Sequence, residues 1–238
     1  MFYLWGISVL PMKDLKKVAA VAAVEWLEKG MTVGLGAGKT IAYLIEIIEE
    51  QQELAHSLTF LSASSVTTDL LLQKQLTMGN AREYERVDVY FDSCDQLDHQ
   101  LNAWKSGGGI HTDEKMLAAM ADDFILLADA GKLMPVLTPD YPLVLEVIPE
   151  AARKVMAVIQ KQFPGAAVGF REELQQPVTT HRNNYLVEVR FNTLPYLQEL
   201  NLLKMLPGVL EHSLFYRMAS KAIVAGYSGT DILFAPRS

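Results

Sequence analysis

Val33-Gly-Leu-Gly-Ala-Gly-Lys-Thr40 is the stretch on which the reading of this chain turns. It joins a short apolar run, Met31 to Leu35, to a helical pattern in which Ile41, Leu44, Ile45 and Ile48 share one face. Glycines at 34, 36 and 38 let the backbone turn tightly with no side chain in the way. The first amides of the following helix then point outward, where helix polarity favours an anion. A strand, a glycine turn and a helix in this order make a phosphate cradle, so a phosphorylated small molecule is the leading ligand class. The ending Gly38-Lys39-Thr40 matches a nucleotide-binding P-loop only in part. That motif puts four residues between its first glycine and the Gly-Lys pair, and Val33 stands where the glycine belongs. Nucleotide hydrolysis, with Val87–Asp92 as the acidic strand, is therefore a minor alternative.

Outward from this turn the alternation continues. Between Lys13 and Lys29, Leu15, Val18, Ala19, Ala22 and Trp26 form a helical stripe that Gly30 ends. Leu58–Leu61 reads as a second buried strand, and the hydroxyl-rich Ser62–Thr68 as the cap of a further helix. Val87–Phe91 is a third strand, running into the acidic segment Asp92–Asp98. A glycine loop at 106–109, a helix over 112–121 and a strand at Phe124–Ala128 follow. This order predicts an α/β fold with a doubly wound, mostly parallel, Rossmann-like sheet. Ligands bind such sheets beyond the carboxyl ends of the strands, where each polar cluster of this sequence falls.

The pattern changes near Leu143. A strand at 143–148, a helix at 151–163, strands at 168–170 and 185–191 and a helix at 194–203 predict a small α+β subdomain, with Asn183-Asn184 as a turn. It spans 143–212, inserted in a main catalytic domain of 1–142 plus 213–238, to whose sheet 222–225 and 232–234 return.

Half of the 238 residues are apolar and 21% charged, which suits a globular protein with a substantial core. A net charge of −7 without a basic run argues against nucleic acid as a partner. The single cysteine, Cys94, excludes an intrachain disulfide and fits a reducing cytoplasm. The uncharged opening, residues 1–11, is too short to span a bilayer and lacks the positive residues of a secretory signal. It reads as an N-terminal extension, and no membrane association is expected.

Asp92 and Asp95 lie three residues apart, a spacing that one turn aims into a common cleft. Lys105 opens a glycine loop that lets a ligand approach the main chain, and Glu114 sits in the first turn of the next helix. Singly, each has an ordinary structural explanation: a turn cap, a solvated lysine, a complement to helix polarity. Together they suit a metal-free aldose–ketose isomerase. Such a reaction needs a carboxylate base over the carbon acid, a cation beside the developing oxyanion and a second acid for ring opening. A remote phosphate anchor supplies binding energy. His99 and His111 stand apart from any metal-ligand spacing and read as structural or surface residues.

These motifs resemble those of type A ribose-5-phosphate isomerases over nearly the whole chain from Met12 onward. That family carries Gly-x-Gly-Thr-Gly-Ser-Thr, Asp-Gly-Ala-Asp-Glu, Lys-Gly-Gly-Gly with a following Arg-Glu-Lys, and Asp-x-Ser-Lys. This sequence has Gly34-Leu-Gly-Ala-Gly-Lys-Thr40, Asp92-Ser-Cys-Asp-Gln96, Lys105-Ser-Gly-Gly-Gly109, Asp113-Glu-Lys115 and Asp129-Ala-Gly-Lys132 in the same order. Leu145-Glu-Val-Ile-Pro149 and Leu206-Pro-Gly-Val209 resemble two further landmarks.

The resemblance implies conversion of D-ribose 5-phosphate to D-ribulose 5-phosphate in the non-oxidative pentose phosphate pathway. It also implies no cofactor, and a homodimer or higher homo-oligomer. By motif position Glu114 is the proton-transferring base, while Asp92, Asp95 and Lys105 hold the sugar hydroxyls, assist ring opening and stabilise the enediolate. Gly36, Ala37, Gly38, Lys39 and Thr40, with Lys132 and Lys16, bind the phosphate, and Ser106, Gly107 and Gly108 form the substrate loop. The departures are Ala37 and Lys39 for two hydroxyl residues, Ser93 and Cys94 for Gly-Ala, Gln96 for a carboxylate and Ser106 for a glycine. Lys39 either replaces the lost hydroxyls in phosphate binding, fills the pocket, or suits a different sugar phosphate. The alternatives are an isomerase of shifted specificity and a non-catalytic sugar-phosphate sensor on the same fold.

Overall fold

The structure is a computed structural model and describes residues 14–236. The expected extension at 1–11 and the start of the first helix at Met12 and Lys13 lie outside these residues. Helix α1 (Leu15–Val24) leads to β1 (Thr32–Leu35), the glycine turn and α2 (Lys39–Glu50). A single turn, α3 (Gln52–Ala55), precedes β2 (Thr59–Ser62), α4 (Ser65–Gln73) and β3 (Val87–Ser93). Two short strands, β4 (Gln96–Asp98) and β5 (Ala103–Trp104), run into α5 (His111–Met120) and β6 (Ala121–Asp129).

Six strands form the central sheet. After β7 (Leu133–Met134) and the intervening small sheet, the chain returns as β15 (Lys221–Gly226) and β16 (Gly229–Phe234). The order is β16-β15-β6-β3-β1-β2, all parallel except the edge strand β16. Strand order reverses at β1, whose neighbours are β2 and β3, so the crevice of an open α/β sheet falls beyond the ends of β1 and β3. Both faces are covered, which explains the near-continuous apolar runs of the inner strands. On one face Ala19, Ala20 and Ala23 of α1 and Ile41, Leu44, Ile45 and Ile48 of α2 pack on Val33, Leu35, Phe91 and Ile125. On the other, Leu117 and Ala118 of α5 join Tyr90, Phe124, Leu126 and Phe215.

A second sheet holds β8 (Leu143–Val147), β9 (Ala167–Phe170), β12 (Tyr185–Arg190) and β13 (Val209–His212) in the antiparallel order β13-β8-β12-β9. Helix α6 (Ala152–Gln162) buries Val155 and Ile159 against it. The hairpin β10 (Glu172–Glu173) and β11 (Gln176–Pro177) lies between β9 and β12. A third sheet, β14-β5-β4-β7, ties β14 (Leu214–Phe215) to the strand before Lys105.

Several boundaries differ from the sequence expectation. Helix α1 stops at Val24, but Trp26 and Leu27 donate to carbonyls three residues back, a tighter turn that keeps Trp26 against the core. The helix expected at 194–203 is α7 (Leu197–Asn201) with a 3₁₀ turn at Leu202–Met205. Leu194 is excluded because the following Pro195 disfavours helical backbone. Strand β13 and the third sheet were not anticipated.

The glycine turn is required sterically. Gly38 has φ 99°, a left-handed value open to glycine. A Cβ on Gly36 would lie 2.0 Å from the Asp92 carboxyl carbon. Gly36→Ala is therefore expected to destabilise the fold by about 1–3 kcal/mol in urea denaturation, as overpacking does. Wild-type stability would show that Asp92 has room to retreat.

Candidate active site

Asp92, at the end of β3, is fully buried and saturated with donors. Its Oδ1 accepts from the N–H of Ala37 (3.2 Å) and of Ser93 (2.7 Å), and its Oδ2 from the Tyr90 hydroxyl (2.6 Å). The Lys105 ammonium lies 2.8 Å from the same Oδ2 and donates to the Ser93 carbonyl at 2.7 Å. It also stands 3.2 Å from Oε1 of Glu114, which the first turn of α5 carries inward to 4% exposure. Strand β5 positions Lys105, whose own N–H donates to the Ser213 carbonyl.

Glu114 and Lys105 share a cleft of about 220 Å³ with Asp95. Its other walls are Ala37 and Gly38 of the glycine turn, Ser93 and Cys94 after β3, and Gly107 and Gly108 of the loop before α5. Asp95 is anchored by the Ser106 N–H, which donates to Oδ2 at 2.6 Å.

One ammonium serves two carboxylates, and this imbalance sets the electrostatics. Burial pushes the Glu114 carboxyl up to about 8, against the pull of Lys105 and with the repulsion of Asp92. Burial opposes the charge on Lys105, but Asp92 and Glu114 outweigh it and hold the ammonium above the usual lysine range. The result is a carboxyl that gains and loses a proton near neutrality beside a permanent cation, as general acid–base chemistry requires. Burial pushes the Cys94 thiol up to about 12, so it lines the cleft as a small neutral group.

The expected phosphate residues divide. Gly36 donates to the Phe91 carbonyl and accepts from the Thr67 hydroxyl, which fixes the turn, and Ala37 and Gly38 face the cleft. The Lys132 ammonium donates to the Cys94 carbonyl, behind the cleft wall. Lys39, Thr40 and Lys16 make contacts of their own on α1 and α2. The Lys39 ammonium is 3.2 Å from Asp14 and 5.1 Å from the centre of the Tyr43 ring, an anion and a π-face on the exposed side of α2. Thr40 is buried in α2, and the Lys16 N–H donates to Asp14, the cap of α1.

Sequence reading missed three supports. Tyr90 sits two positions before Asp92 on one strand face, a period-2 signal that reads equally as core. Arg182 clasps Asp113 through both carboxylate oxygens and steadies the start of α5. Arg171 donates to the carbonyls of Ser106 and Gly107. His111 is buried with Nε2 against the Glu211 carbonyl, and His99 is exposed.

Comparison with known proteins agrees with this geometry. Residues 59–229 match the family Ribose 5-phosphate isomerase A (phosphoriboisomerase A). The chain belongs to the ribose-5-phosphate isomerase A family. It is 31% identical to ribose-5-phosphate isomerase A of Rhodopseudomonas palustris (strain TIE-1) over 91% of this chain and 96% of the relative. The protein of that name from Streptococcus pneumoniae serotype 19F (strain G54) is 33% identical over 93% and 97%. Among solved structures, ribose 5-phosphate isomerase A from Methanocaldococcus jannaschii superposes with a TM-score of 0.84 at 30% identity, covering 93% of this chain and 98% of that one. A D-ribose-5-phosphate isomerase in complex with phospho-erythronic acid gives 0.86 at 27% identity, covering 94% and 100%.

As a member of the isomerase A family, this chain departs from the family motifs in ways the structure explains locally. Gln96 donates its amide N–H to the Thr138 hydroxyl at 2.8 Å and accepts the Thr138 N–H at 2.7 Å, a donor-and-acceptor pair that a carboxylate lacks. The Ser93 hydroxyl donates to the Ala37 carbonyl, and the Ser106 hydroxyl to the Pro142 carbonyl. Both hydroxyls brace loops at the cleft.

The raised Glu114 pKa has a stability consequence. Between the ordinary value of 4.5 and about 8 the folded state binds the Glu114 proton more tightly than the unfolded state. Stability from this group is full below 4.5 and falls as pH rises towards about 8. Glu114→Gln should therefore resist urea better than wild type at pH 9, with the advantage shrinking as pH falls towards 5. An advantage that does not change between pH 5 and 9 would mean that the carboxyl ionises at its ordinary value in the folded protein.

Proposed function

We propose that this chain interconverts D-ribose 5-phosphate and D-ribulose 5-phosphate through an enediolate, in the non-oxidative pentose phosphate pathway. The observation that carries this reading is the Glu114 carboxyl 3.2 Å from the Lys105 ammonium, both on the wall of a cleft that reaches the glycine turn. A solved relative bound to phospho-erythronic acid supports a phosphorylated, polyhydroxylated ligand for the family.

In the proposed reaction Asp95 exchanges a proton with the ring oxygen and the C1 hydroxyl, giving the open aldehyde. Glu114 removes the C2 proton, and electron density moves from the C2–H bond through C1–C2 onto O1. Lys105 meets the developing negative charge there, with Asp92 fixing the ammonium. Preorganised charge of this kind is worth several kcal/mol in a water-poor site. Glu114 returns the proton to C1 while the proton of the C2 hydroxyl passes to O1 and the C2 carbonyl forms, so the balance is one proton moved from C2 to C1 and one from O2 to O1. The phosphate lies at the turn of Gly36, Ala37 and Gly38, with Lys132 supplying charge once it leaves the Cys94 carbonyl. Among the described residues no helix is long and apolar enough to cross a membrane. We assign the enzyme to the cytoplasm, to a homo-oligomer, and to a division into 1–142 plus 213–238 and 143–212.

Purified wild type should form the ketose from ribose 5-phosphate, whereas Glu114→Gln should lose about 10²–10⁴-fold in kcat, the usual worth of a general base, and still bind. Binding without turnover by wild type would favour the sugar-phosphate sensor. Lys132→Ala should raise KM about tenfold or more, as loss of a charge-assisted hydrogen bond to phosphate does. An unchanged KM would place the phosphate elsewhere.

A further inference from the structure

The loop that carries Lys105 into the cleft is held from outside by the antiparallel sheet. Arg171 follows β9, and its backbone is fixed by pairing with Leu186 and Val178. Its Nε donates to Glu188 on β12 at 2.8 Å, which orients the planar guanidinium. Its Nη2 donates to the Ser106 carbonyl at 2.6 Å and its Nη1 to the Gly107 carbonyl at 3.0 Å. The chain passes so close that a Cβ on Gly109 would sit 2.6 Å from Leu186 and 3.5 Å from Nη1.

This fork fixes two successive peptide planes. The peptide bonds are trans, so each N–H points opposite to its own carbonyl. With the carbonyls of Ser106 and Gly107 drawn to Arg171, the N–H groups of Gly107 and Gly108 are turned away from the antiparallel sheet. Both glycines line the cleft on that side, and Gly107 faces Asp95. We propose that Arg171 is a positioning residue for catalysis: it orients the Gly107 and Gly108 amides as donors to the substrate's C1–C2 oxygens, beside Lys105. This rests on the isomerase reading above and adds a second source of oxyanion stabilisation that depends on the antiparallel sheet. The guanidinium also polarises both peptide units, since a hydrogen bond to each carbonyl makes its N–H a stronger donor.

The test compares Arg171→Ala, Arg171→Lys and Glu188→Ala with wild type on ribose 5-phosphate. Arg171→Ala is expected to lower kcat about 10–100-fold, somewhat less than removal of an oxyanion donor itself, with KM changed less than about threefold. Added ethylguanidinium should restore most of the lost rate, where matched sodium chloride does not. Arg171→Lys, which reaches one carbonyl, should fall between. A kcat for Arg171→Ala within about twofold of wild type, or a loss that ethylguanidinium leaves untouched, would overturn the assignment. If Arg171→Ala does not fold, Glu188→Ala decides: with no acceptor for Nε, the freed guanidinium should lower kcat several-fold at unchanged KM, and wild-type kcat there sinks the proposal. Full turnover by Glu114→Gln would instead mean that the isomerase chemistry is wrongly assigned.

Discussion

Two carboxylates share a single, almost wholly buried ammonium. Asp92 is saturated with hydrogen bonds from two backbone amides and a tyrosine, so its claim on Lys105 is the stronger. Glu114 keeps the weaker contact and its desolvation goes uncompensated, which lifts its proton affinity. Removing one partner of a buried pair typically costs about 3–5 kcal/mol, so the triad constrains the surrounding fold as strongly as any apolar cluster. A functional pKa thus arises from a charge count that does not close.

The three sheets meet at this point. The central sheet supplies Asp92 and the glycine turn at its switch point, the third sheet delivers Lys105, and the antiparallel sheet reaches over through Arg171 to the loop after Lys105. Helix α5, steadied at its start by Arg182 on Asp113, presents Glu114. No single element contains the site, so its geometry depends on how the three sheets are joined.

Much of this was legible in the residues. The glycine turn, the apolar runs of parallel strands and the helical faces of α1 and α2 carry strong periodicities, and each maps onto an observed element. Glu114, Asp92, Asp95 and Lys105 stood out only in combination, since each alone has an ordinary structural explanation. The third sheet was invisible because its strands, two or three residues each, are too short to show a period. The contact between Lys39 and Asp14 was not legible, because the two lie 25 positions apart and on different helical segments. Arg171 gave no signal: its partners are main-chain carbonyls more than 60 positions away.

The pairing of β5 with β14 also bears on how the protein is made. Lys105 is set in place by the Ser213 carbonyl and by the Trp104–Leu214 register, contacts between segments far apart in the chain. Such long-range closure is slow to form. A nascent polypeptide that ends short of Ser213 already contains every group of the cleft and the carboxylates that hold the lysine, yet lacks the strand that braces the backbone on which it stands. The last brace on the lysine therefore arrives late in synthesis.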